Sequence, residues 1–271
     1  MITLTTALPC EAKPLIKKFG LQNQTEHSAF RIYQNDDLRL AITGVGKLAA
    51  ASAVGFLNHD NQREQQAWLN VGIAGHATHK IGTAILAHKI IDAGSHQCWY
   101  PVIINSLPCI SDTLTSVDQV HDEYAAGSCY DMEASGFFAA ASRFTNIELI
   151  HSLKIISDNR DCNCFNISSG LVDELITAEM DIIEAQIEHL RQMTTQLNHN
   201  TAANINIDAY IEHWHFTHAQ RHQLRQLLQR WQLILPQYLP FETISNKQPS
   251  DGKSVLIAIK HQLDNAPISF S

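Results

Sequence analysis

From residue 1 to residue 158 the chain alternates short apolar runs of strand length with stretches whose apolar residues recur at helical spacing. "MITLTTAL" opens as a strand broken by Pro9, and "CEAKPLIKKFG" follows as a short helix ending at Gly20. "FRIYQ" and "LRLAITG" read as strands joined by Asn35, Asp36 and Asp37, after which "GVGKLAAASAVGFLNH" switches to helical periodicity. "AWLNVGIAG", "TAILAHKII", "YPVIINSL" and "NIELIHSLKIIS" are further strand candidates. Strands interleaved with helices predict an α/β fold in which a mixed central sheet is flanked by helices on both faces. "SSGLVDELITAEMDIIEAQIEHLRQM" reads as one long helix, with Leu175, Ile176, Ile183, Ile187 and Leu190 near one face. There is no internal repeat and no low-complexity tract.

Composition changes after that helix. "TTQLNHNTAANINID" is polar and asparagine-rich, as a linker or surface loop is, which divides the chain into a first domain, 1–195, and a small, mainly helical C-terminal extension, 196–271. In the extension Thr217 and Gln220 form a capping-box pattern ahead of a helix whose stripe is Leu224, Leu227, Leu228 and Trp231. A stripe that apolar needs a partner surface, expected on residues 1–195 or on a second subunit.

Charge narrows the function classes. The formal net charge is −8 with only 17% charged residues, which argues against nucleic acid or anionic lipid as a partner. No run approaches the roughly 18 apolar residues of a membrane span, and the N-terminal segment lacks the pattern of a signal peptide, so a cytoplasmic location is expected. The six cysteines, Cys10, Cys98, Cys109, Cys129, Cys162 and Cys164, lack paired CxxC spacing and read as reduced, mostly buried thiols. His213, His215, His218 and His222 are clustered, but no HExxH-type motif accompanies them, and they read as a surface cluster in a chain with 15 histidines. No metal site and no cofactor is assigned.

In an open α/β sheet, ligands sit beyond the carboxyl ends of strands. Glu11, "GVGK" at 44–47, "NVGIAG" at 70–75, "YDMEASGFFAAA" at 130–141 and "ISDNRD" at 156–161 lie in such places. Singly, each has an ordinary structural reading: a first-turn carboxylate, tight turns, an N-cap, a buried helix face. Phe137 and Phe138 are expected in the core.

Together and in this order, the stretches resemble the purine nucleoside phosphorylase and nucleosidase superfamily, most closely the methylthioadenosine/S-adenosylhomocysteine nucleosidases. The resemblance covers about residues 1–195. It implies that Glu11 is the general base for water and Asp158, after Ser157, the general acid at the purine N7. It also implies that Glu133 accepts hydrogen bonds from the ribose 2′ and 3′ hydroxyls with Met132 packed under the sugar, and that Ile73 and Gly75 belong to the ribose-proximal loop. A carboxylate suits a diol because it accepts two hydrogen bonds, which tighten as the sugar gains positive charge. An Asp at 158 is similar to the 6-aminopurine branch, so adenine is the expected base, and the two catalytic carboxyls need opposite protonation states.

Two departures from the pattern are visible. Ile73 stands where the nucleosidases usually have Ser, and the segment before "YDMEA" is shorter than theirs, so that Leu114 alone is offered where a purine-stacking aromatic is expected. The matching loops supply no arginine for a phosphate, which leaves Lys47 and Arg160 as the available cations. Hydrolysis of the N-glycosidic bond of a 5′-modified adenosine is therefore the expected activity. The alternatives are phosphorolysis, or a catalytically weak nucleoside-binding or scaffold protein on the same fold. The resemblance also implies a homodimer.

Overall fold

The structure, a computed structural model, describes residues 1–24, 28–58, 66–104, 109–120, 124, 127–162, 167–201, 207–235, 237–247 and 249–265. It divides into two compact units, Met1–Gln196 and Leu197–Ser271.

The first unit is built on β1 (Ile2–Thr6), β2 (Gln22–Asn23), β3 (Arg31–Gln34), β4 (Leu38–Ile42), β5 (Ala67–His76), β6 (Ala84–Asp92), β7 (Cys98–Trp99), β8 (Ile110–Ser116), β9 (Cys129–Asp131) and β10 (Ile150–Asp158). All ten belong to one sheet, in which β1 pairs in parallel with both β4 and β5. β5 also pairs with β9 and β10, and β10 continues through β6 and β8 back to β9, so these five strands close a ring. Parallel and antiparallel pairs occur together, as the mixed sheet expected from the sequence requires. β1 and β10 are buried along their whole length, and this explains their unbroken strings of strand-forming residues.

Helices α1 (Pro9–Phe19), α2 (Lys47–Asn58), α3 (Ala134–Ala141), α4 (Ser169–Ala178) and the part of α5 (Met180–Thr201) up to Gln196 complete the unit. α1 starts on a proline at its first position and stops at Gly20, whose φ of 62° only glycine adopts without strain. Phe137 and Phe138 are buried in the main core with Trp68, Val54, Leu57 and Ile150. Gly136 lets α3 approach α2 closely: a Cβ there would sit 2.1 Å from the carbonyl oxygen of Lys47.

Four readings are corrected. "YPVIINSL" forms no strand over 100–104, and its remainder lies outside the described residues. Pro101 lacks an N–H for a ladder and Tyr100 and Ile104 stay exposed. The parallel partner of β6 is instead the polar segment Ile110–Ser116, which hides its strand character by burying only Leu114 and Ser116. The long helix is two, parted at Glu179; Thr177 bonds back to the Asp173 carbonyl (2.7 Å), which bends a helix, while Leu175, Ile176, Ile183, Ile187 and Leu190 are all buried as expected. The expected linker begins later, because α5 runs to Thr201 and 202–206 lie outside the described residues. Of the five described cysteines, all free, only Cys129 is fully buried; Cys98 is exposed on the short strand β7, and Cys164 lies outside the described residues.

The second unit contains α6 (Asp208–His213), α7 (His218–Ile234), α8 (Pro240–Ser245) and α9 (Gly252–Asp264). The capping box at Thr217 and Gln220 is formed. The stripe of α7 is covered within its own unit: Leu224, Leu228 and Trp231 are buried with Phe216, Ile244, Val255, Leu256 and Ile259, and Leu227 packs beside them. The expected docking elsewhere overlooked α9, whose start is set by Asp251 accepting the Ser254 N–H (2.7 Å). His213 and His215 are exposed, His213 lying against Trp214 and Phe241; the side chains of His218 and His222 lie outside the described residues. Replacing Trp231 with Ala is expected to destabilise this unit by about 3–5 kcal/mol, because no neighbour of similar volume can fill the space. Hydrogen exchange over 207–265 in the full chain measures it, and unchanged protection there would show that the helices do not depend on this core.

Candidate active site

A cavity of about 450 Å³ lies over the ends of β1, β5, β9 and β10. Glu11 reaches it from the first turn of α1, where it faces back to the chain that leaves β1. Its Oε2 accepts the N–H groups of Ala7 and Leu8 (both 2.8 Å), and its Oε1 accepts that of Ile73 (3.0 Å). Burial pushes the Glu11 carboxyl up, against the pull of Lys154 and these three donors.

Lys154 is the residue that sequence reasoning missed. It stands in the middle of β10 opposite Gly72, only 1% exposed, with Nζ 3.0 Å from Asp131 Oδ2 and 4.0 Å from Glu133 Oε2. Burial works against its charge, but Asp131, Glu133 and Glu11 outweigh it and hold the ammonium above the ordinary lysine value. A lysine inside "IHSLKIISD", a strand buried on both faces, was the available signal, since lysine is almost never buried unpaired.

The two carboxylates before α3 therefore have distinct tasks. Asp131 is the counter-ion of Lys154 and a scaffold for the helix start, accepting Ser116 Oγ (2.6 Å) and the Ala134 N–H (2.9 Å). Glu133 lines the cavity and is anchored on one side, where its Oε1 accepts the Gly46 N–H (2.9 Å) from the glycine turn before α2. Burial pushes Glu133 up to about 7; Lys154 opposes this and Asp131 adds to it.

Asp158 ends β10 after a bulge between Ile156 and Asp158 that sets it opposite Gly75. A Cβ on residue 75 would lie 2.6 Å from Asp158 Oδ2, so glycine is needed there for the carboxylate to fit. Ser157 Oγ donates to Asp158 Oδ1 (2.5 Å), and the buried hydroxyl of Tyr124 donates to Oδ2. Tyr124 is a second residue the sequence reading passed over, and Arg160 bonds its carbonyl oxygen (3.0 Å).

Glu11, Ile73, Gly75, Met132, Glu133, Ser157 and Asp158 all line this one cavity. Leu114 does not: on β8 it pairs with Ile90 on one side and Cys129 on the other and is fully buried in the core, so its offered role beside the purine is withdrawn. The aromatic rings at the cavity are Tyr124 and Tyr130, 5.5 Å apart. The two cations named from the sequence are engaged elsewhere. Lys47 bridges Asp92 (2.8 Å) and Asp118 (2.7 Å) outside the cavity, and among the described residues no lysine or arginine lines it.

No protein family and no curated protein matches the sequence. Solved structures do. A Helicobacter pylori 5′-methylthioadenosine nucleosidase variant holding 5′-methylthioadenosine superposes with a TM-score of 0.55 at 14% identity, over 69% of this chain and 98% of that one. The chain has the nucleosidase fold. A methylthioadenosine/S-adenosylhomocysteine nucleosidase from Colwellia psychrerythraea in complex with adenine is similar over 70% of this chain and 94% of that one (TM-score 0.54, 18% identity). Futalosine hydrolase of Helicobacter pylori is similar over 69% and 97% (TM-score 0.52, 16% identity). Among the described residues no helix is long and apolar enough to cross a membrane.

Proposed function

We propose that this nucleosidase-fold chain hydrolyses the N-glycosidic bond of a 5′-modified adenosine, with Glu11 as general base for water and Asp158 as general acid at the purine. The observation that carries this reading is one cavity that gathers the carboxylates the chemistry needs: Asp158 beside Gly75, and Glu11 and Glu133 grouped around Lys154 beside Gly72. The purine takes over the Asp158 oxygen now bonded by Tyr124, and a proton passes from Asp158 to N7 as the bond to the sugar breaks. Glu133 accepts from the ribose hydroxyls, and its negative charge stabilises the oxocarbenium-like sugar in the transition state. Glu11, fixed by three N–H groups, takes the proton of the attacking water. Met132, Val45, Val117, Val120, Ile167 and Val172 give the rest of the cavity an apolar lining, which favours an apolar 5′ substituent.

Water is favoured over phosphate on electrostatic grounds. The buried cation, Lys154, already faces three carboxylates, and among the described residues the cavity wall offers no lysine or arginine; a phosphate dianion would add charge of the wrong sign. The test is adenine release from a panel of 5′-substituted adenosines, with and without phosphate. Free ribosyl product without phosphate stimulation is expected. Strong stimulation with formation of the ribosyl 1-phosphate would replace hydrolysis by phosphorolysis, and no release across the panel would leave a binding protein.

The carboxylate cluster sets the pH dependence. Glu11 and Glu133 must be ionised to act, and both are raised, Glu133 to about 7. The acidic limb of kcat/KM is therefore expected near pH 7, far above an ordinary glutamate, with an apparent value that belongs to the coupled group and not to either residue. Glu133→Gln should move that limb. A limb near pH 4.5 in the wild type would show that the cluster does not titrate as a unit.

A further inference from the structure

Four residues with metal-ligand side chains converge outside the catalytic cavity: His76, His79, Asp112 and Cys129, whose ligand atoms all lie within 4.8 Å of one another. They are far apart in sequence, and the sheet brings them together. His76 is paired with Cys129 in the β5–β9 ladder, and Cys129 is paired with Leu114, two residues beyond Asp112 on β8. His79 sits in the turn after β5, fixed because its own N–H and that of Thr78 both donate to His76 Nδ1 (2.8 and 3.1 Å). The Asn159 side chain holds the same turn by donating to the His79 carbonyl (2.9 Å).

The centre of the group is one oxygen. Asp112 Oδ1 accepts the Thr113 N–H (2.7 Å), and Oδ2 faces His79 Nε2 at 2.9 Å, His76 Nε2 at 3.6 Å and Cys129 Sγ at 3.9 Å. The two imidazoles stack, with centroids 3.8 Å apart. A zinc ion held at about 2.0–2.1 Å by N and O and about 2.3 Å by S needs donors spaced a little over 3 Å apart, and the separations of 2.9 and 3.9 Å bracket that requirement.

His76 supplies the independent observation. Its Nδ1 is an acceptor of two backbone N–H groups, so its proton is on Nε2. That Nε2 is buried, has no hydrogen-bond partner among the described residues, and aims at Asp112 Oδ2 from 3.6 Å, too far for a hydrogen bond. A buried donor is costly when unmatched. The same protonation bars Nε2 from being a ligand and suits it to the outer shell, where a donor to a ligating carboxylate fixes its orientation.

We propose that His79, Asp112 and Cys129 bind one divalent cation of borderline softness, zinc by the mixture of N, O and S donors, with His76 as the outer-shell donor to Asp112. On binding, the Cys129 thiol loses its proton to solvent, His79 offers Nε2 as a neutral imidazole with its proton on Nδ1, and water completes the tetrahedron. The ion ties the turn after β5 to β8 and β9 behind the cavity, since the pair His76 and Cys129 adjoins Gly75 and Tyr130 in the ladder and both of the latter line the cavity. Its role is structural, and it stands whether or not the nucleosidase reading does.

Cobalt(II) titration of the chelator-treated full chain tests this. One equivalent is expected to give visible bands of tetrahedral intensity and a near-ultraviolet sulfur-to-cobalt charge-transfer band. Cys129→Ser should abolish the charge-transfer band, His79→Gln or Asp112→Asn should abolish stoichiometric binding, and His76→Phe should weaken affinity by about 10–100-fold without changing the spectrum. A Cys162→Ser, Cys164→Ser double variant should bind as the wild type does. Should the cluster variants fail to fold, X-ray absorption of the zinc-loaded wild type and of that double variant decides, with one sulfur at about 2.3 Å expected in both. Absence of stoichiometric binding, a charge-transfer band that survives Cys129→Ser, or loss of the sulfur scatterer in the double variant would each overturn the proposal and leave a hydrogen-bonded cluster around Asp112.

Discussion

Asp158→Asn is expected to lower the rate of adenine release by at least about a hundredfold, the scale on which a positioned general acid contributes. The substitution changes little in shape but removes the proton that the proposed mechanism draws from Asp158. It also changes the hydrogen bonding, because Asp158 accepts two hydroxyls, Ser157 on Oδ1 and Tyr124 on Oδ2, and an asparagine amide can accept at its oxygen only. The hydroxyl left facing the NH₂ group has to turn and accept from it, so a loss in stability of about 1 kcal/mol or less should accompany the loss in rate. Single-turnover measurements on the best substrate of the panel separate the two effects, since a folded but less stable enzyme keeps its substrate affinity more than its rate. Near-wild-type turnover under conditions where chemistry limits the rate would remove Asp158 from the mechanism.

The parts of this site that were readable from the sequence are those whose chemistry is local. Glu11 follows a strand and opens a helix, and its contacts with Ala7 and Leu8 lie within four residues. Glu133 and Asp158 sit in short ordered segments at strand ends, where side chains of an α/β sheet reach ligand. β1, β5, β6 and β10 were legible because each carries a cluster of apolar and β-branched residues of strand length. β8 was not, because six of its seven residues are polar or exposed and its identity comes from pairing between β6 and β9. The error over Leu114 has the same origin: a residue expected at a pocket wall became core once its segment was drawn into the sheet.

What stayed hidden depends on long-range register. Lys154 acquires meaning only from Asp131, 23 positions earlier in the chain, and from Glu11, brought alongside by the β5–β10 ladder. Likewise the α7 stripe is buried as its pattern requires but against a different partner, because periodicity marks the apolar face of a helix and not the helix, here α9, that covers it. Asp131 had no role while Lys154 was unrecognised; with the lysine in place it is the nearest of three counter-charges.

Replacing that lysine is the most severe change available at the site. Lys154→Met preserves much of the stem volume and deletes the ammonium, leaving Asp131, Glu133 and Glu11 without their shared cation. Removing one partner of a buried pair costs about 3–5 kcal/mol, a large part of the stability of a domain this size. The loss has a distinctive pH dependence. Glu11 and Glu133, already raised by burial, are pushed further above their unfolded values when Lys154 is gone, so the folded state holds protons that the unfolded state releases, and stability falls as pH rises through that window. Acidification reverses it by neutralising the carboxyls. Urea unfolding of the variant should therefore show a deficit that is largest at about pH 8 and shrinks towards about pH 5. In the wild type the lysine's own contribution is also lost with rising pH, but only in the alkaline range, as pH climbs through its elevated folded-state value. Lys154→Arg keeps the charge and should recover part of the stability at neutral pH, limited by the larger guanidinium in a full interior. A Lys154→Met deficit of equal size at all pH values would mean that the lysine serves by its packing, and the electrostatic account of the carboxylate cluster would have to be abandoned.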